Sequence, residues 1–173
     1  MADLTEVMGI GSPSLYAAFG SKEALYTEAV DYYRESYEDL VWGKFFAAPT
    51  ARAAIAAFLM DSAAVLTGAV VDIPHGCMVA LSSVASEGHL DLGNLVRSAR
   101  GVTLERLKAR LEQGVADGEI PAATDLHALA RFAQTVQFGM SILARDGACQ
   151  GELEAVAEVS MAGWDARVGG GLP

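Results

Sequence analysis

The chain has 173 residues, 52% of them hydrophobic and 20% charged, and its 22 acids against 12 Lys and Arg give a formal charge of −10. That length buries one substantial core with a small appendage and excludes two full domains. Ala and Leu outweigh Val, Ile and Thr, so an all-α protein is expected, and the acid surplus excludes a broadly basic nucleic-acid-binding surface.

The opening MADLTEV lacks the basic region and apolar run of a signal peptide, and residues 2–8 read as a short helix stopped by Gly9-Ile10-Gly11. Ser12 then stands as an N-cap with Pro13 at the first helical position. Leu15, Ala18 and Phe19 follow at helical spacing, and Gly20 ends this short second helix. Ser21 caps a third, long helix that runs through Leu25, Ala29 and Tyr32 to about Trp42. Pro49 and Thr50 punctuate the next boundary. Residues 53–66 form an Ala-rich helix offering Ile55, Phe58, Leu59 and Val65 to a core. Residues 53–71 carry one charge, but a transmembrane span would place Asp61 mid-bilayer at about 2.5–3.5 kcal/mol, so a buried helix is expected instead.

The loop around Asp72-Ile-Pro-His-Gly leads into a helix expected over residues 76–85, and a long helix is expected over residues 90–116. Its buried stripe is read as Leu92, Leu95, Ala99, Val102, Leu107, Leu111 and Val115, with Lys108 placed to pair with Glu112 four residues on. After a loop over residues 117–125, capped by Thr124 or Asp125, the residues Leu126, Leu129, Ala133, Val136, Met140 and Leu143 recur in alternating steps of three and four. A last helix is expected over residues 150–167. The two terminal helices form an αα-hairpin, and a pair of hairpins across a two-fold axis makes a four-helix homodimer interface. The domain reading is residues 1–42 for a DNA-binding head and linking helix, 43–168 for a ligand-binding and dimerisation body, and 169–173 for a disordered tail. Cys77 and Cys149 lie far apart without metal-ligand spacing, so reduced, partly buried thiols in a cytoplasmic protein are expected.

Helix, glycine turn and short second helix is the spacing of a helix-turn-helix, in which the second helix enters the major groove. The string GIGSPSLYAAFGSKEALY, residues 9–26, resembles the recognition helix of the TetR family of transcriptional regulators and the start of the helix that follows it. The match is specific at Gly9, Ser12, Leu15, Tyr16, Phe19, Lys22, Glu23 and Leu25. The segment DGEIPAATDLHALARF also looks like the family's approach to its dimer helices. The resemblance implies an all-α fold with a helix-turn-helix segment followed by a helical ligand-binding and dimerisation domain. It implies a non-enzymatic repressor that binds double-stranded operator DNA as a homodimer and is released by a small-molecule effector, with no membrane partner. By resemblance, Tyr16 and Lys22 contact the DNA backbone, while Ser12, Pro13, Ser14, Ala17 and Ala18 face base edges, mainly through apolar contact with thymine methyls.

Two features depart from the family pattern. Family members place a further helix, often with basic residues, ahead of the segment that opens here, so this chain is read as shortened at its N-terminus and expected to bind DNA weakly. Residues 1–42 also hold eight acids against two bases. A helical dimer that binds small molecules or proteins without touching DNA is therefore the alternative. Trp42, Phe58, His75, Met78, Phe132, Gln134 and Phe138 are the candidate ligand-binding residues, aromatic walls with a few polar handles. His75 and Cys77 are too few to fix a metal, no cofactor is called for, and no nucleophile, paired-carboxylate or phosphate-loop arrangement stands out.

Overall fold

The computed structural model describes residues 2–84 and 88–169. Every element of it is helical: α1 (Ala2–Met8), α2 (Ser12–Phe19), α3 (Lys22–Ala47), α4 (Ala51–Leu66), α5 (Met78–Leu81), α6 (Leu90–Ala116), α7 (Leu126–Arg145) and α8 (Gln150–Trp164), closed by a π-helical turn, Asp165–Gly169. The all-α expectation is met. The tail expected over residues 169–173 falls, from residue 170 on, outside the described residues.

Side-chain caps set the starts of α3, α4 and α7. Ser21 Oγ accepts from the Ala24 N–H at 3.0 Å, Thr50 Oγ1 from the Ala53 N–H at 3.0 Å, and Asp125 Oδ1 from the Ala128 N–H at 2.9 Å. The second helix differs from the expectation: the Gly11 carbonyl accepts from the N–H groups of Ser14 and Leu15, so Gly11 is the N-cap and Ser12 is the first helical residue, with no capping bond. Cys149 also differs, standing exposed at the N-cap of α8, where its N–H donates to Glu152 Oε2 at 2.8 Å.

The central element is α4. Alanines at 51, 54 and 63 let neighbouring helices approach closely, while Ile55, Phe58, Leu59 and Leu66 fill the space against Leu107 and Leu111 of α6, Met140 of α7, and Leu153 and Trp164 of α8. At the crossing of α6 with the start of α4, a Cβ on Gly114 would lie 2.7 Å from the Ala51 Cβ, so this approach requires glycine. The expected buried stripe of α6 holds at Leu92, Ala99, Leu107 and Leu111 and differs between and after them. Val96, Leu104 and Gly114 are buried, whereas Leu95, Val102 and Val115 are half-buried. Lys108 pairs with Glu105 at 3.1 Å, on the preceding turn, rather than with Glu112.

The largest difference lies after α4. A helix is expected over residues 76–85, with Ala85 outside the described residues, yet only Met78–Leu81 is helical. The Arg100 guanidinium takes the backbone carbonyls of Val79, Ala80 and Ser82 at 2.9–3.0 Å, the acceptors a continuing helix would use. Gly76, at φ +83, turns the chain against α7, where a Cβ would lie 2.8 Å from the Ser141 carbonyl oxygen.

In α7 the alternating series also divides. Leu129, Ala133 and Met140 are buried in the protomer's own core, whereas Leu143 is exposed with Phe132 and Ile142. On α8, Val156 and Val159 are exposed too.

Candidate functional site: a helix-turn-helix face and an internal cavity

The first site is a surface. Leu15 is fully buried and holds α2 against the start of α3, with Phe19 half-buried beside it. Since 3.6 residues make a turn, anchoring α2 at these two positions presents the opposite face to solvent. Ser12, Pro13, Ser14, Tyr16, Ala17 and Ala18 are all exposed there, and Lys22, the first residue of α3, is exposed just beyond the turn. Next to Lys22, Glu23 has its carboxyl held below the ordinary carboxylate range. Its own backbone N–H is the main cause, helped by Ser21 and by the neighbouring His89 and Lys22. The acid so close to the candidate phosphate-binding lysine is therefore charged at neutral pH.

The second site is a pocket of about 100 Å³, open to solvent on one side and lined by α3, α4, α5, α6 and α7. Trp42 packs edge-on to Phe45 and lies 4.9 Å from Phe58, centroid to centroid, and the Arg106 guanidinium sits 5.1 Å from the Trp42 ring. Arg106 is ion-paired with Glu38 on α3. Cys77 enters the wall from the loop before α5, tied to α7 by its N–H, which donates to Ser141 Oγ at 2.7 Å. Burial, reinforced by the neighbouring Cys77 side chain, pushes the Tyr33 phenol well above its ordinary range, so Tyr33 stays protonated.

Of the expected ligand residues, Trp42, Phe58 and Phe138 line this cavity. Gln134 lies one turn from Gln137, its Nε2 donating to the Arg100 carbonyl and its Oε1 accepting from Arg131, both at 2.8 Å. His75 is exposed and packs beside Gly68, and Met78 is half-buried next to the Val30, Val79, Val96 and Ala99 cluster. Phe132 borders a separate groove of about 280 Å³ with Thr124, Trp164 and Arg167. Sequence reasoning left out Tyr33, Tyr37, Arg106 and Gln137 as wall residues. The signal for the tyrosines was present, since Val30, Tyr33, Tyr37 and Val41 recur at helical spacing along α3. Arg106 and Gln137 carried no local signal, because only tertiary packing turns them inward.

Head, connecting helix and cavity-bearing body together define an all-α protein with a helix-turn-helix carried on a single long helix. No protein-family model matches the chain. The HTH-type transcriptional repressor ComR of Escherichia coli (strain K12) is 31% identical over 166 residues, covering 95% of this chain and 78% of ComR. The TetR family transcriptional regulator CifR, solved as a cysteine mutant in complex with 26-base-pair operator DNA, superposes with a TM-score of 0.84 at 35% identity, over 95% of this chain and 85% of that one. A TetR transcriptional regulator from Rhodococcus sp. RHA1 superposes with a TM-score of 0.63, also at 35% identity, over 93% and 85% of the two chains. The chain belongs to the TetR family of transcriptional regulators. No helix among the described residues is long and apolar enough to cross a membrane.

Proposed function

We propose that this protein is a ligand-responsive repressor that binds operator DNA as a homodimer and is released when a small effector occupies the internal cavity. What carries the reading is the placement of both sites on one rigid element. Lys22 opens α3 beside the exposed face of α2, while Tyr33, Tyr37 and Trp42 further along the same helix form cavity wall. A ligand that displaces that wall moves the recognition helix with it, and the effect on DNA affinity equals the ligand's differential affinity for the two arrangements. The domain division follows: residues 1–42 as head and link, 43–168 as ligand and dimer body.

In this reading Tyr16 and Lys22 fix register on phosphates, while Ser12, Pro13, Ser14, Ala17 and Ala18 face the base edges. The relatives support the assignment of DNA as partner, because CifR was solved on its operator and ComR is named a repressor. Exposed Phe132, Ile142, Leu143, Val156 and Val159 supply the apolar face through which α7 and α8 pair with a second copy.

Selection of DNA fragments from a random pool tests this. An enriched palindrome supports the reading, and no enrichment overturns it. On the selected site, Lys22→Ala weakens binding across all sequences and lowers the salt slope by about one. The acid surplus of the head favours one rival, a dimer that binds small molecules without DNA; there the pool gives no enrichment while ligand binding persists.

A further inference from the structure

Resting on the cavity as the effector site, we infer that its ligand is an uncharged molecule the size of one substituted ring, bearing a hydroxyl that pairs with the Gln137 amide.

Size comes first. An apolar cavity of about 150 Å³ holds one benzene, so a pocket of about 100 Å³ that opens to solvent on one side takes at most a single small ring with its substituent toward the mouth, and a fused system does not fit inside it. Trp42, Phe58 and Phe138 supply walls for that ring.

Charge comes next. On the wall itself the closest cation, Arg106, already faces an acid. Arg106 is ion-paired with Glu38, Arg34 lies 4.0 Å from Asp31, and Arg100, over the Phe138 ring, donates to three backbone carbonyls. A carboxylate or ammonium entering here would be desolvated against a wall whose close ion pair, Arg106 with Glu38, carries no net charge, which disfavours charged ligands.

Gln137 supplies the specific feature. It is 7% exposed and is the one polar residue of the cavity wall more than nine-tenths buried among the described residues. Gln134, one turn earlier, has both ends of its amide bonded, whereas Gln137 makes no hydrogen bond to any described residue. Its amide is not among the fully occluded unpartnered atoms, which are Ser62 Oγ and Arg110 Nη1, so what remains accessible of it faces the cavity. Buried polar groups as a rule find partners, and an amide offers a donor and an acceptor together. A hydroxyl complements both. A hydrocarbon ring complements neither, and a carboxylate only the donor.

The test uses the full chain with three probes, phenol, toluene and benzoate, followed by quenching of tryptophan emission and by calorimetry. Trp42 lines the cavity whereas Trp164 lies on α8, so Trp42→Phe identifies the signal. Phenol is expected to bind saturably, with toluene about tenfold weaker for the lost hydrogen bonding and benzoate not binding over the same range. Gln137→Leu is expected to bring phenol to the level of toluene while toluene binding persists, which shows that the variant is folded. Benzoate binding as tight as phenol, an unchanged phenol-to-toluene ratio in Gln137→Leu, or saturable binding by none of the three overturns the inference. Phenol binding that depends on Gln137 yet leaves the operator complex intact supports this ligand class and overturns release by cavity occupancy instead.

Discussion

The head and the body of this protein are held together in different ways. In the body, α4 is enclosed by four other helices and its buried residues form part of one continuous cluster running from Trp42 to Trp164. In the head, α1 leaves Leu4, Val7 and Met8 exposed, and α2 rests on one fully buried side chain, Leu15. What connects the head to the rest is α3, with the small Val30, Val79, Val96 and Ala99 cluster at its flank and a hydrogen bond of 2.7 Å between the Tyr26 and Ser82 hydroxyls. A dense body and a lightly attached head fit the proposed release by a change in head position, because low local stability permits motion that a packed core resists.

The largest effect is expected where the body is least forgiving. Gly76→Ala forces a side chain onto φ +83 and places its Cβ 2.5 Å from Leu81 Cδ1 and 2.8 Å from the Ser141 carbonyl. The flexible leucine can turn away, but the backbone carbonyl cannot. A loss of about 2–4 kcal/mol is expected, read as a drop in Tm by calorimetry. An unchanged Tm would mean that the loop before α5 is not seated on α7, and the rigidity assigned to the body would fall with it.

Leu15→Ala tests the other side of the comparison. Truncation of a buried leucine costs about 2–5 kcal/mol where the site belongs to the cooperative core. In the head it is expected to disorder α2 and abolish operator binding, while the main thermal transition of the body moves little. Equal losses of Tm from Leu15→Ala and Leu107→Ala would show that head and body unfold as one unit, which removes the distinction drawn above.

The same contrast explains what the sequence made legible. Several boundaries that rest on local chemistry were readable: Ser21 as a cap, Gly20 as a stop, Pro49 and Thr50 as the break before α4, and the head motif at residues 9–26, although Ser12 was read as the cap where Gly11 is. Features that rest on partners distant in the chain were not. The shortness of α5 depends on Arg100, about twenty residues on, and the burial of Gly114 in place of Val115 goes with its close approach to Ala51. The cavity was half legible for the same reason. Its aromatic residues stand out by type, whereas Gln137 differs from Gln134 only in what the fold brings near it.

Tyr26→Phe addresses the attachment itself. It removes the hydroxyl bonded to Ser82, on the segment whose Cys77, Val79 and Ala80 are also cavity wall. The cost to stability is expected to be about 1 kcal/mol or less, since this is one partly buried hydrogen bond. The informative readout is the effector concentration that half-releases operator DNA. If the Tyr26–Ser82 bond transmits displacement of the cavity wall to the head, that midpoint rises while direct ligand binding is unchanged. Movement of both by the same factor would place the effect in the cavity and not in the attachment.

The smallest effect is expected at the far end of the body, where Arg52 at the start of α4 holds Asp165 beyond the end of α8 at 2.5 and 2.7 Å. The guanidinium bonds, and then its positive charge, lower the Asp165 carboxyl below its ordinary value of 3.8. A carboxylate with a depressed folded-state value stabilises the fold fully above its unfolded value, and that contribution disappears as pH falls through the folded one. Both groups are exposed, so water screens most of the attraction. Asp165→Asn should therefore leave Tm almost unchanged at pH 7 and reduce the steepness of acid destabilisation only below about pH 4. Paired melting curves of the two proteins at about pH 7 and about pH 3.5 provide the check. A large loss at neutral pH would mean that this exposed pair anchors α8 to α4, in place of the buried contacts of Leu153, Ala157 and Trp164 to which the body's rigidity is assigned.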